Sequence, residues 1–214
     1  MAHAYSEDQL VEQPAITLLA ELGWHTVSAM EEVVGLHGTL GRETKTEPVL
    51  ALRLRAALNR LNPSLPPEAI STAVDELTRD RSTMSLAAAN REVYGLIKDG
   101  IPVSVPDPKG GGQKTERVRV IDWENPASND FLLVSQFSVT GALYTRRPDL
   151  VGFVNGLPLI VIELKKPGVP AQQAFDDNLT CYKSDIPQLF WFNGLTIASN
   201  GTESRVGSLT ADWE

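Results

Sequence analysis

Asp149, Glu163 and Lys165 are the residues whose types and spacing best suit chemistry. The stretch RPDLVGFVNGLPLIVIELKKPG, residues 147–168, sets an acid just before one apolar run and Glu-Leu-Lys at the end of the next. Charges beside buried strands are costly unless something binds or pairs them. Residues two apart on a strand share a face. Glu163 and Lys165 therefore project together at the strand's end, about 7 Å apart along the backbone. Two close carboxylates repel, which raises one pKa unless a cation sits between them. Mg2+ takes oxygen ligands, typically one or two carboxylates with waters and substrate phosphate, and Asp149 and Glu163 fit that demand. Such an ion lowers the pKa of a water, polarises a phosphoryl oxygen and stabilises a departing alkoxide. Lys165 can orient the attacking water and offset charge on the phosphorus. The chemistry is hydrolysis of a phosphodiester.

Both acids must reach one face of the sheet. A two-residue turn at Asn155-Gly156 sets Val154 opposite Leu157 and Asp149 opposite Ile162, which parts the carboxylates. A three-residue loop Val154–Gly156, with Gly156 left-handed, sets Phe153 opposite Leu157 and Asp149 opposite Val161. The acids then share a face, and a bulge serves equally. A metal site therefore predicts an irregular hairpin; an ordinary strand end with solvated charges permits the regular one.

The rest of the chain supplies the frame. Its 214 residues, 42% hydrophobic and 21% charged, suffice for one large domain or one domain with an added lobe. The net charge of −8 argues against strong unaided DNA binding. One cysteine, Cys181, excludes a disulfide within the chain, and His3, His25 and His37 lack zinc spacing. No apolar run approaches the ~18 residues of a membrane span, and the first residues lack a secretory pattern. The expectation is a cytoplasmic protein without a membrane partner.

Residues 7–22 have helical apolar spacing, with Ser6 as cap, Gly23 as stop, and Pro14 marking a kink or a later start. Residues 24–46 read as loop with one short strand. Helices follow at 48–61, 66–79 and 85–98. Strands are predicted after residue 100, at 117–122 and at 131–139, with an exposed loop at Gly110–Gly112. The opening stretch adds two strands. AQQAFDDNLTCYKSDIP is helical, and QLFWFN with LTIASN predicts a final hairpin about Asn193-Gly194. The expected fold is α/β: a mixed central sheet flanked by helices, with a helical part over about 1–100 and a core over about 101–214.

Pro148-Asp149, a thirteen-residue gap, then Glu163-Leu164-Lys165 resembles the PD-(D/E)-x-K nuclease motif. The flanks NREVYGLIKDGIPV, VRVIDWENPASNDFLLVSQFSV and IPQLFWFNGLTIASNG, with LVEQPAITLLAELGW near the start, resemble the N-terminal nuclease domain of the restriction subunit of type I restriction–modification enzymes. The resemblance implies a restriction-endonuclease-like core. It implies a Mg2+-dependent endonuclease that cuts duplex DNA non-specifically, with methyltransferase and specificity subunits as partners. It also implies an ATP-driven motor in a longer subunit; no Gly-x-x-x-x-Gly-Lys-Ser/Thr loop occurs here, so this chain looks like an N-terminal fragment and ATP belongs to the full subunit.

By motif matching, Asp149 and Glu163 bind Mg2+ with the Leu164 carbonyl, and Lys165 is the catalytic lysine. The family's Gln-x-x-x-Tyr element aligns with Asn178 and Tyr182, which share a helical face; packing and capping would suit them as well. A further acid from the first helix is Glu12, with Glu7 as rival. Arg146 and Arg147 grip phosphate or balance Asp149, and Lys166 faces water. Lys109, Lys114, Arg117 and Arg119 form a DNA-facing or merely solvated loop. Trp123, Trp191 and Phe192 could stack on bases, but the core is the expected place for them. The alternatives are a catalytically silent docking module for the motor and methyltransferase subunits, and an autonomous repair-type nuclease.

Overall fold

The computed structural model describes residues 6–35, 37–107 and 110–213; the expectations for His3 and Lys109 lie outside the described residues. Ser6 Oγ accepts from the Gln9 amide at 3.2 Å. A π-turn, Asp8–Glu12, opens the first helix, which continues as α1, Gln13–Glu21. Pro14 falls in the first turn of α1, the later start that the sequence allowed. The Gln13 amide reaches back to the Asp8 carbonyl. That wider turn absorbs a ring that lacks an N–H and would crowd the carbonyl one turn earlier. Gly23, with φ 93°, terminates the helix.

β1 is His25–Ser28. Three helices follow as their periodicity predicts: α2 Ala51–Leu61, α3 Pro67–Thr78 and α4 Leu86–Asp99. β2, Ile101–Pro106, pairs with β3, Gln113–Val118, as a separate hairpin. β3 lies earlier than the expected 117–122. The Asn62 side chain takes both backbone groups of Arg119, at 2.8 and 2.9 Å, which ends the ladder there. β4 is Phe131–Ser135, and the expected strand to 139 breaks at Gln136, whose φ is 59°. Short strands β5, Val139–Thr140, and β6, Thr145–Arg146, pair beyond the break.

β7, Leu150–Val154, and β8, Leu157–Leu164, form the central hairpin. The helix after it runs through a π-segment, Ala174–Leu179, into α5, Thr180–Asp185. The expected hairpin about Asn193-Gly194 is absent. Pro187–Phe190 is a short helix, α6, because a buried apolar run after a proline suits a helical turn as well as a strand. The closing strands are β9, Leu195–Ser199, and β10, Ser204–Gly207, turning at Gly201 with φ 82°.

Six strands form one mixed sheet in the order β1-β4-β7-β8-β9-β10. β1 with β4 and β8 with β9 are parallel; the other pairs are antiparallel. One face packs Leu133, Leu150, Ile162 and Leu164 against Val11 and α1. The other packs Val134, Val151, Phe153 and Val161 against Leu179, Tyr182 and Phe190. A third cluster joins α2, α3, α4 and the β2-β3 hairpin to Val154 and Leu157 at the turn of the central hairpin. The result is the expected α/β architecture, a restriction-endonuclease-like sheet between helices. The helical part is not a separate layer throughout, since α1 and β1 build on the sheet itself.

Candidate active site

The central hairpin combines two devices. Asn155 (φ 52°) and Gly156 (φ 81°) form a primed two-residue turn with Val154 opposite Leu157. The three-residue loop is therefore not used. Instead the register shifts between Gly152 and Phe153, where Ile160 and Pro158 are the successive partners and Leu159 is the extra residue. Beyond this bulge Leu150 faces Ile162, so Asp149 comes opposite Glu163 rather than Val161.

The two acids meet at the end of β7 and β8 away from the turn. The Asp149 amide lies 3.4 Å from Glu163 Oε2, and the Leu164 amide donates to Asp149 Oδ2 at 2.8 Å. Lys165 Nζ lies 3.9 Å from Glu163 Oε1 and donates to Asn178 Oδ1 at 2.8 Å. Asn178 Nδ2 donates to Tyr182 Oη at 3.2 Å, and the Tyr182 hydroxyl donates to Glu163 Oε1 at 3.2 Å. Lysine, amide, phenol and carboxylate thus close a ring of polar contacts. Asn178 lies in the π-segment before α5; such segments recur at functional sites because they re-aim side chains.

Burial dominates the electrostatics. The Glu163 side chain is only 4% exposed. Desolvation, then the Asp149 carboxylate, push its carboxyl up to about 8, against relief from Lys165 and its hydrogen bonds. Desolvation also raises Asp149, partly offset by the Leu164 amide. Burial lifts the Tyr182 phenol as well, so it stays a donor.

Glu12, in the π-turn before α1, is buried beside Asp149, and desolvation raises its carboxyl too. Its oxygens accept from Gln136 Nε2 at 3.1 and 3.0 Å. Glu7 Oε2 instead accepts from the Lys166 amide at 2.7 Å. Arg146 is committed to Asp185, with nitrogens 2.7 and 2.6 Å from Oδ2. Arg147 is exposed, its guanidinium 3.7 Å from the Met30 sulfur. The basic residues of the β2-β3 hairpin are not brought to the acids. They lie toward the turn end of the sheet, where Lys114 pairs with Glu116 and Arg119 with Asp122. Lys166 is exposed, while Trp191 and Phe192 are buried. Trp123 is exposed, contrary to the core expectation, because the loop after β3 carries it off the packed face. A cavity of about 830 Å3, lined by Leu52, Trp191 and Phe192, lies elsewhere and includes none of the acids.

Among the described residues, no three His, Cys, Asp or Glu side chains gather tightly enough to hold a metal by themselves. The donor set still suits a hard cation. The buried Glu163 and the half-buried Asp149 face each other, and Mg2+ ordinarily completes its shell with water, carbonyl and phosphate oxygens. Sequence reasoning missed Gln136; no residue type announces that a glutamine will take a left-handed turn.

The chain matches the family model described as the N terminus of the type I restriction enzyme R protein over residues 4–214. It is 36% identical over 208 residues to the HindI type I restriction enzyme endonuclease subunit of Haemophilus influenzae, covering 95% of this chain and 19% of that protein. It is 32% identical over 214 residues to the Methanocaldococcus jannaschii protein assigned as the MjaIXP type I restriction enzyme endonuclease subunit, covering 98% and 20%. The Escherichia coli EcoprrI endonuclease subunit is 34% identical over 95 residues, covering 43% and 30%. The chain spans about a fifth of the length of the first two relatives. Match and coverage together place this chain in the family of N-terminal regions of type I restriction enzyme R proteins.

Proposed function

We propose that this chain is the Mg2+-dependent endonuclease module of a cytoplasmic type I restriction–modification enzyme. It cuts duplex DNA non-specifically after an ATP-driven motor, elsewhere in the subunit, has translocated the DNA. The observation that carries this reading is Asp149 opposite Glu163 on one sheet face, with the Lys165 ammonium 3.9 Å from Glu163, in a chain of this family.

Asp149, Glu163 and the Leu164 carbonyl would hold the ion; the Leu164 amide, bonded to Asp149, fastens that turn of backbone. Bound there, Mg2+ would supply an activated water and polarise the phosphoryl oxygen. Lys165, steered by Asn178, orients the attacking water and offsets charge developing on the phosphate. Tyr182 holds the Glu163 carboxylate in place by donating to it. With a net charge of −8, the chain depends on the methyltransferase and specificity subunits to hold the DNA.

The test is Lys165→Ala in the full subunit within its complex. ATP hydrolysis persists and cutting is lost. Cutting at the native rate would remove Lys165 from the mechanism, and loss of ATP hydrolysis alongside it would favour a docking role.

A further inference from the structure

At the end of β4 one residue leaves the sheet in a conformation that side chains seldom adopt. Gln136 has φ 59°, and such strain persists only where the surroundings enforce it. The Gln136 amide donates to the Asp149 carbonyl at 2.7 Å. Phe137, fully buried, packs edge-on to Phe153 at 5.2 Å, and the Arg42 guanidinium lies 4.0 Å from its ring centroid. Arg42 Nη2 donates to the Ser138 carbonyl at 2.7 Å and pairs with the buried Glu32. The turn is thus gripped on both sides.

The grip aims the glutamine side chain. Its Nε2 donates to both oxygens of Glu12, while its backbone amide holds the Asp149 carbonyl. A turn alone would be met by glycine at less strain. What glutamine adds is a long amide that reaches Glu12, in the π-turn before α1, from a backbone bonded to Asp149, just before β7.

We propose that Gln136 is a positioning residue: its backbone amide holds the Asp149 carbonyl, its side-chain amide holds Glu12, and it thereby fixes the acid of the first π-turn beside the cation site, where it supports the ion from outside the pair of ligating carboxylates. This rests on the metal-site reading above. Its action runs through Glu12: without the amide, two carboxylates would repel across the gap and Glu12 would swing outward.

Mn2+ is the probe, with binding read by electron paramagnetic resonance on the native chain, Gln136→Met, Gln136→Gly, Glu12→Gln and the double variant Glu12→Gln/Gln136→Met. Methionine keeps the length and removes the donors. Glycine removes the side chain and relieves the turn, so its melting temperature does not fall. Each Gln136 variant binds Mn2+ about tenfold more weakly than the native chain, the usual size of such a supporting contact. The double variant binds no more weakly than Glu12→Gln alone. Native affinity in both Gln136 variants, or losses that add independently in the double variant, would overturn the proposal while leaving the metal site standing. No binding by the native chain would remove the metal site itself, and the proposal with it.

Discussion

At the residue scale, Glu163 is the most perturbed acid of the site, and its state couples folding to pH. Its folded carboxyl stands near 8 against an ordinary 4.5, through burial first and Asp149 second. Without metal, the folded chain keeps a proton that the unfolded chain releases within that window. Stability therefore falls as pH rises from about 4.5 to about 8 and levels off above it. Asp149, also raised, adds in the same direction. Glu163→Gln removes the larger part of this dependence. Scanning calorimetry without metal should find the variant melting on the order of 5 °C above the native chain near pH 8.5. The difference narrows toward pH 5; equal melting temperatures at both pH values would mean that Glu163 is not desolvated as drawn. Asp149, Glu163 and Lys165 were legible as a candidate set, Glu163 and Lys165 from the strand period and Asp149 from the motif it shares with them. Gln136 was not, because its role depends on a backbone twist that only the packing of Phe137 and Arg42 imposes.

At the element scale, the central hairpin decides whether the acids meet. Its need for irregularity could be read from parity alone, since one extra residue exchanges the faces of a strand. Which device supplies it could not be read, because a bulge at Leu159 depends on the neighbouring strands and on Trp24 above Gly152. The final hairpin was misread for a related reason: in QLFWFN, burial on every side hides the period that separates strand from helix. Hydrogen bonds to neighbouring segments hold the turn of the central hairpin. The buried Asn155 side chain accepts from the Asp130 amide and donates to the Val120 carbonyl, at 2.8 and 2.9 Å. The Gly156 carbonyl accepts from the Leu50 amide at 2.9 Å, just before α2. A Cβ on Gly156 would come within 2.7 Å of the Leu50 carbonyl and Leu54 amide, at φ 81°. Gly156→Ala should cost about 2 kcal/mol or more in urea unfolding. An unchanged midpoint would mean that α2 does not clamp the turn.

At the scale of the whole molecule, the basic β2-β3 hairpin lies toward the turn end of the sheet, away from the acids. The clamp on the β4–β5 crossing reaches across the fold through Arg42, whose side chain is 0% exposed and paired with a Glu32 that is 1% exposed. Arg42→Ala leaves that carboxylate buried without its partner, and should destabilise the fold by about 3–5 kcal/mol. Denaturant unfolding checks this; a loss near zero would mean that water reaches Glu32. The helix and strand content was largely legible, because α2, α3 and α4 carry apolar stripes of their own. The layering was not, since α1 and β1 join a sheet whose other strands begin more than a hundred residues later. The most direct test of the central claim is calorimetric titration of Mn2+ into the native chain, Asp149→Ala and Glu163→Ala. Binding by the native chain, lost in both variants while each stays folded, is the result expected. Equal heats in all three would contradict a cation site between Asp149 and Glu163.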